Sequence, residues 1–194
     1  TAVDANPLDA VWRDQPEAPM ALVIPHDITF AGESSGDKRA RLAQAMTAEA
    51  VVLTAPDSIA WLLNIRGGDV AHSPLPLSLA ILHDDGRVDL FLEAAKRGRG
   101  LGDHLGNEVS LQPADAFAGA LDGLGKKSVQ VDPGSAAAWV FERLAAAGAE
   151  IERGSDPCQL PKAIKNDVEL AGARASHSRD GAALTRFLHW LSVF

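Results

Sequence analysis

Short apolar runs alternate with helical patterns between residues 33 and 160, and this alternation constrains the fold more than any other feature. Val51–Thr54 is typical of a buried strand, and Ala136 to Ala147 is typical of a helix. Leu77 to Leu82 and Arg87 to Leu92 flank an Asp-Asp-Gly turn and predict a hairpin. Because βα units favour parallel strands and a hairpin adds an antiparallel pair, the pattern predicts a three-layer α/β domain with a mixed sheet.

Both flanks of this domain differ from it in pattern. Residues 1–32 contain four prolines and little periodicity, which predicts an extended connector from a preceding domain. Residues 161–194 predict a linker and one long helix from Asn166. Apolar residues in that helix follow the i, i+3, i+4, i+7 spacing of one face: Leu184, Phe187, Leu188 and Leu191. We expect this helix to begin a further domain, which supplies the surface that covers its apolar end.

Charge and cysteine content exclude several classes of partner. The 194 residues carry a formal net charge of −8, whereas nucleic acids and anionic membranes are normally bound by basic surfaces. Cys158 is the single cysteine and cannot form an intrachain disulfide, which agrees with a reducing cytoplasm. No apolar run approaches the length of about eighteen residues typical of a membrane-spanning helix. We therefore expect a cytoplasmic protein without nucleic-acid or membrane partners.

The segment Gly32-Glu33-Ser34-Ser35-Gly36 matches the G-x-S-x-G pattern of serine-hydrolase nucleophile turns. In that fold several central strands precede the serine, whereas here most of the preceding residues belong to the proline-rich connector. A helix follows the serines, and serine is a favoured N-cap. Helix capping is the preferred interpretation, and a serine hydrolase at Ser34 is the alternative.

Residue spacing excludes two further motifs, one for dinucleotide binding and one for metal binding. In the glycine-rich segment 98–106, Asp103 and Leu105 stand where G-x-G-x-x-G would require glycine, so dinucleotide binding is not predicted. The six histidines never stand at i, i+4, and Cys158 has no histidine near it in sequence. The sequence predicts no metal site within these residues.

The loop from Asn64 to Pro74 is the best candidate for ligand contact. It is long for a connection between a helix and a strand, and it carries Arg66, Asp69 and His72, with Trp61 just before it. Alternatively, Trp61 is a core residue of its helix, and Arg66 pairs with Asp69 to hold the shape of the loop.

At this loop the sequence resembles a known family. The segment Asp57-Ser58-Ile59-Ala60-Trp61-Leu62-Leu63-Asn64-Ile65-Arg66-Gly67-Gly68-Asp69-Val70-Ala71-His72-Ser73-Pro74 is similar to the second domain of the long, three-domain Xaa-Pro aminopeptidases (aminopeptidase P) of the creatinase–prolidase superfamily. Further similar segments follow in the same order: Val11-Trp12-Arg13, Phe30-Ala31-Gly32-Glu33, Asp37-Lys38, and Lys162-Ala163-Ile164-Lys165-Asn166 with Glu169.

The resemblance implies a fold and a function. It implies a creatinase-type N-terminal domain fold at 33–160 and the first helix of a catalytic domain after it. Family members remove the residue before proline at the N-terminus of peptides, with two divalent metal ions, usually manganese, held in that catalytic domain. The resemblance therefore implies a non-catalytic fragment of a cytoplasmic metal-dependent enzyme that acts on peptides, expected to be a homodimer. Trp61, and less directly Arg66, Asp69 and His72, would contribute to its substrate pocket. A stand-alone interaction module without catalysis is the alternative.

Overall fold

A six-stranded mixed sheet forms the centre of the protein, for which a computed structural model describes residues 7–193. The strands of this part are β1 (Ile24–Pro25), β2 (Ala50–Leu53), β3 (Ile65–Arg66), β4 (Leu79–His83), β5 (Val88–Phe91), β6 (Val109–Gln112), β7 (Ser128–Val131) and β8 (Glu150–Arg153). The main sheet has the order β6-β5-β4-β2-β7-β8, and β1 and β3 form a separate antiparallel pair. Only β4 runs antiparallel to its neighbours in the main sheet, which confirms the predicted mixed sheet with one hairpin.

Helices cover both faces of the main sheet. The α-helices of the described part are α1 (Ile28–Ala31), α2 (Ser35–Ala45), α3 (Pro56–Leu62), α4 (Leu101–Leu105), α5 (Phe117–Asp122), α6 (Ala138–Ala147), α7 (Gln159–Ala163) and α8 (Asp167–Val193). Gly148 ends α6 with φ 81°, the left-handed conformation that glycine adopts most easily.

The core has two layers because successive side chains of a strand point to opposite faces. Val51 and Leu53 of β2 pack in one cluster with residues of α2, α3 and α4. Ala50 and Val52 of the same strand pack in the other with residues of α5 and α6. The sheet between two helical layers confirms the three-layer α/β prediction.

The extended connector predicted at 1–32 is only partly extended in the described residues. Its second half contains β1 and α1, and Val23 is completely buried, with its N–H donating to the Lys96 carbonyl over 2.8 Å. Close contact is possible because Gly98 has no side chain: a Cβ there would overlap the Val23 carbonyl oxygen. Residues 1–6 of the predicted connector lie outside the described part.

The long helix predicted from Asn166 is confirmed as α8. The linker predicted from residue 161 is partly helical, because α7 extends to Ala163. The apolar side chains near the end of α8 are each more than half exposed: Leu184, Phe187, Leu188, Trp190 and Leu191. None of the helices in residues 7–193 has the length and apolar character needed to cross a membrane.

Candidate functional site

A groove of about 920 Å³ lies where α1, α3 and the first turns of α8 meet. Its walls combine apolar and charged side chains, among them His26, Phe30, Trp61, Arg66 and Glu169. This groove contains two of the four site residues predicted from the sequence, Trp61 and Arg66.

Trp61 forms part of the groove wall but is largely buried. It lies in the last turn of α3 with only 7% of its surface exposed. The Lys38 ammonium lies 4.5 Å from its ring centroid and the Arg41 guanidinium 5.9 Å from it. Cation–π contacts of this kind fix the ring. Trp61 is thus a core residue that leaves little of its surface exposed.

Lys38 holds the backbone around this tryptophan. Its ammonium is buried and donates to the Trp61 carbonyl over 3.0 Å and to Asn64 Oδ1 over 2.7 Å. Burial lowers the pKa of Lys38, while the negative charges of Glu169 and Glu33 partly oppose that change. Sequence reasoning missed Lys38, although it precedes the buried Leu42 by one helical turn on the same face.

Asn64 connects α3 to β3 in a left-handed conformation, with φ 50°. Its side chain donates to the Glu33 carbonyl over 2.8 Å, and its own carbonyl accepts from the His26 N–H over 2.8 Å. Asparagine tolerates this backbone region better than most residues. The turn is therefore tied to both the connector and α2, which fixes the start of β3 and hence Arg66.

Arg66 brings a fixed positive charge to the groove. Its Nη1 donates to the carbonyls of Ile65 (2.8 Å) and Ala60 (3.2 Å). Burial lowers the pKa of the guanidinium, while Glu169 opposes that change. No carboxylate lies within ion-pair distance of Arg66 among residues 7–193. Two backbone carbonyls orient Arg66, and its charge stays available to a ligand in the groove.

His26 and Phe30 also line the groove and were not predicted as site residues. Their rings stack with centroids 5.9 Å apart. Burial, together with the positive charges of Arg66 and Lys38, lowers the pKa of His26. Both residues belong to the segment interpreted as connector, and only the fold of β1 and α1 brings them to this place.

The predicted pairing of Arg66 with Asp69 is wrong. Asp69 pairs instead with Lys96, with Oδ2 and Nζ 2.7 Å apart and both side chains almost completely buried. It also accepts the N–H groups of Leu77 (2.7 Å) and Ala21 (3.1 Å). Burial tends to raise the pKa of Asp69, but these hydrogen bonds and the Lys96 charge lower it overall. Asp69 fastens the connector to the domain and does not line the groove.

His72 also lies outside the groove. It is exposed and has φ 62°, in the tight turn that joins Val70 to Ser73. The loop predicted as one site thus separates into a groove residue, Arg66, a buried anchor, Asp69, and an exposed turn residue, His72.

The start of α8 closes the other side of the groove through a capping box. The Asn166 side chain accepts from the Glu169 N–H over 2.9 Å, and Glu169 accepts from the Asn166 N–H over 3.0 Å. Asn166 also donates to the Ala31 carbonyl over 2.8 Å. It packs directly on Gly32, whose φ of 70° and lack of a Cβ permit the contact.

The remaining sequence candidates have structural roles. Ser34 caps α2: its Oγ accepts from the Asp37 N–H over 3.0 Å and donates to the Asp37 carboxylate over 2.7 Å, so this side chain gives no support for a hydrolase. Cys158 is completely buried, and burial raises its thiol pKa. Within residues 7–193, no group of three or more His, Cys, Asp or Glu side chains could hold a metal ion. The described residues therefore do not fit a dinuclear metal centre.

Comparison with known proteins identifies the family. Residues 14–169 match the family described as Creatinase/Prolidase N-terminal domain. The chain is 33% identical over 202 residues to a probable Xaa-Pro aminopeptidase P of Leptosphaeria maculans, covering 98% of this chain and 33% of that protein. It is 34% identical over 201 residues to a similarly named protein of Aspergillus niger, covering 97% of this chain and 33% of that one. The chain thus spans about a third of the length of the curated relatives it matches.

Solved structures agree with the sequence comparison. The X-prolyl aminopeptidase of Caenorhabditis elegans, described as a cytosolic enzyme with a di-nuclear active site, matches with a TM-score of 0.88 and 26% identity, over 99% of this chain and 32% of that one. A Xaa-Pro dipeptidase of Bacillus anthracis shares the fold, with a TM-score of 0.52 and 16% identity over 71% of this chain. This chain belongs to the creatinase/prolidase N-terminal domain family.

Proposed function

We propose that the chain is the non-catalytic N-terminal part of a metal-dependent Xaa-Pro aminopeptidase, which removes the first residue of peptides with proline second. The observation that carries this proposal is the match to the X-prolyl aminopeptidase of Caenorhabditis elegans, which covers 99% of this chain and so includes α8 as well as the α/β domain. Two divalent metal ions, manganese by family resemblance, would be held by residues of another part of the protein. The cytosolic location of the C. elegans enzyme supports a cytoplasmic protein, and a homodimer is proposed from the resemblance.

Under this proposal, the division at 1–32, 33–160 and 161–194 separates a connector, the α/β domain and the start of the catalytic domain. The exposed apolar side chains of α8 support the last boundary, because a helix depends on packing of its apolar face for most of its stability. Amide exchange in the isolated chain should be fast from Leu184 onward. Strong protection there in a monomer would contradict this division.

The groove would form part of the wall beside the substrate, with Arg66 as the contact residue. Arginine suits this role because its guanidinium is always charged and offers several donors to a peptide carbonyl or carboxylate. Trp61 would contribute an apolar edge, which suits a proline ring. Asp69 and His72 lie outside the groove and would act on substrate only indirectly.

Arg66→Ala in the full-length protein tests the assignment, with Arg41→Ala as a matched control. Arg41 also lies near Trp61 but is exposed and paired with Glu33 at 2.9 Å, outside the groove. We expect Arg66→Ala to lower kcat/KM for Xaa-Pro peptides about tenfold, or about 1.4 kcal/mol, with unchanged melting. Equal kcat/KM for the Arg66 and Arg41 variants would remove Arg66 from the substrate site. A full-length protein without Xaa-Pro peptidase activity would refute the proposed function itself.

A further inference from the structure

A second cleft, of about 580 Å³, lies at the start of α2, and His26 lines both this cleft and the groove. The residues of α2 that line it are Ser35, Gly36 and Arg39, and His104 of α4 faces them. The proposed function uses none of these four residues.

The two buried side-chain atoms that lack a hydrogen-bond partner in residues 7–193 both belong to residues of this cleft. They are Ser35 Oγ and Arg39 Nε, on residues one helical turn apart. Buried polar atoms nearly always have a hydrogen-bond partner in folded proteins, so two unpaired atoms in one place indicate a missing partner. The partner must accept from the guanidinium and can accept from the hydroxyl.

The arrangement of Arg39 leaves one edge of its guanidinium for this partner. Only 8% of Arg39 is exposed, and its Nη1 donates to the carbonyl of Gly86, which does not line the cleft. Because the guanidinium is planar, the edge formed by Nε and Nη2 faces away from Gly86. That edge is the fork that binds carboxylate and phosphate through two parallel hydrogen bonds. Glu108 favours the charged form of Arg39 but makes no hydrogen bond to it within the described chain.

The first turn of α2 adds backbone donors. Ser34 accepts the N–H groups of Asp37 and Lys38, through its side chain and its carbonyl. The N–H groups of Ser35 and Gly36 have no acceptor in the part of the chain that the structure describes. An eleven-residue helix directs its positive dipole end to this place, which favours a bound anion.

The nearby carboxylates are engaged elsewhere. Asp27 lines the cleft, but its Oδ1 accepts from the Thr29 N–H over 2.8 Å, as the N-cap of α1. The Asp37 carboxylate accepts from the Ser34 hydroxyl and does not line the cleft. Neither carboxylate is hydrogen-bonded to the Arg39 fork.

We propose that this cleft binds a small oxyanion, the size of a carboxylate or phosphate group, between the Arg39 fork, the Ser35 hydroxyl and the first N–H groups of α2. Carboxylate and phosphate groups share the feature that this site would bind, a pair of oxygen atoms that carry a negative charge. The site is independent of the aminopeptidase assignment, because it is formed entirely by residues of this chain.

The test titrates inorganic phosphate and, separately, acetate into the intact chain, with ionic strength held constant by chloride. We expect saturable shifts of the Ser35 and Gly36 amide NMR signals with at least one of the two anions. A response to phosphate but not to acetate would identify a phosphate site, and a response to acetate but not to phosphate would identify a carboxylate site. A response to both anions would identify a general oxyanion site. No saturable shift with either anion, or an equal response to chloride alone, would overturn the proposal. A buried water would then be the partner of Ser35 Oγ and Arg39 Nε.

Ser35→Pro and Arg39→Gln show whether the site is the one described. Proline is well suited to the first position of a helix, and Ser34 already has the extended backbone (ψ 152°) that a residue before proline prefers, so Ser35→Pro removes the hydroxyl and one N–H without breaking α2. We expect each variant to weaken anion binding at least about tenfold, or 1.4 kcal/mol. Arg153→Gln, which removes an equal charge from β8, should leave it unchanged. Wild-type affinity in Ser35→Pro would overturn the proposal even if Arg39→Gln failed to fold.

Discussion

Two lysines of this domain are almost completely buried, yet their surroundings differ. Lys96 is 4% exposed and has the Asp69 carboxylate 2.7 Å from its ammonium. Lys38 is 1% exposed and has no carboxylate within 4.0 Å among the described residues; its acceptors are a carbonyl and an amide oxygen. The chain thus buries one cation with a full counter-charge and the other with neutral dipoles and an aromatic ring.

The difference separates two ways of attaching a segment to the domain. The Lys96–Asp69 pair holds the connector, because Asp69 also accepts the Ala21 N–H. Lys38 holds the end of α3 and the turn before Arg66 through Trp61 and Asn64. A buried ion pair leaves an uncompensated charge when one partner is removed, whereas removal of Lys38 leaves only neutral acceptors unpaired.

The largest effect should come from Asp69→Ala. It leaves the Lys96 ammonium buried without a counter-charge and the N–H groups of Ala21 and Leu77 without an acceptor. We expect the free energy of unfolding, measured by urea denaturation, to fall by about 3–5 kcal/mol. Asp122→Ala breaks a pair with Arg143 whose side chains are 50% and 35% exposed, and should cost less than about 1 kcal/mol. Equal losses would show that burial does not distinguish these ion pairs.

Lys38→Met should have a smaller effect. It leaves the Trp61 carbonyl and Asn64 Oδ1 unpaired but also removes a buried charge, so we expect a loss of about 1–3 kcal/mol. The Trp61 environment should change as well, which near-ultraviolet circular dichroism can detect after the exposed Trp12, Trp139 and Trp190 are replaced by Phe. An unchanged Trp61 spectrum together with full stability would show that Lys38 does not hold this segment.

Asp69 and Lys38 should make the free energy of unfolding depend on pH in different ranges, Asp69 in acid and Lys38 in alkali. The pKa of Asp69 is lowered in the folded protein, so its contribution is present above the unfolded value of about 3.9 and is lost as the pH falls through the folded pKa. The pKa of Lys38 is also lowered in the folded protein. Between this folded pKa and the unfolded value of about 10.4, the unfolded chain binds more protons than the folded chain, so the free energy of unfolding rises with pH. Urea denaturation across the pH range should show that Asp69→Asn loses less stability in acid than the wild type does. It should also show that Lys38→Met gains less stability in alkali than the wild type does. Curves parallel to the wild type in both variants would contradict these assignments.

The sequence predicts the fold well because the relevant signals are local. The hairpin turn, the glycine that ends α6 and the apolar runs of the strands each lie within one short segment. The family resemblance is also strongest in one segment, from Asp57 to Pro74, and two of the residues it singled out, Trp61 and Arg66, line the groove.

The sequence predicts the partners of charged residues poorly because they lie far apart along the chain. The alternative interpretation of the loop pairs Asp69 with Arg66, three residues away, whereas its partner Lys96 is 27 residues away. The segment Lys38-Arg39-Ala40-Arg41 is typical of a solvated helical face, yet Lys38 and Arg39 are buried. His26 and Phe30 reach the groove only through the pairing of β1 with β3, which the prolines of the connector gave no reason to expect.

Glu33→Gln should give the smallest loss of stability. Glu33 pairs with Arg41 near the surface, with side chains 28% and 48% exposed, so we expect a loss below about 1 kcal/mol at neutral pH. The hydrogen bond from Asn64 is retained because its acceptor is the backbone carbonyl of Glu33. The negative charge of Glu33 nevertheless favours protonated Lys38, so its removal should lower the pKa of Lys38 further and shift the alkaline gain in stability to lower pH. Urea denaturation from neutral to alkaline pH measures that shift, and a gain at the wild-type pH would show that the Glu33 charge does not act on Lys38, which leaves Glu169 as the carboxylate that favours its protonated form.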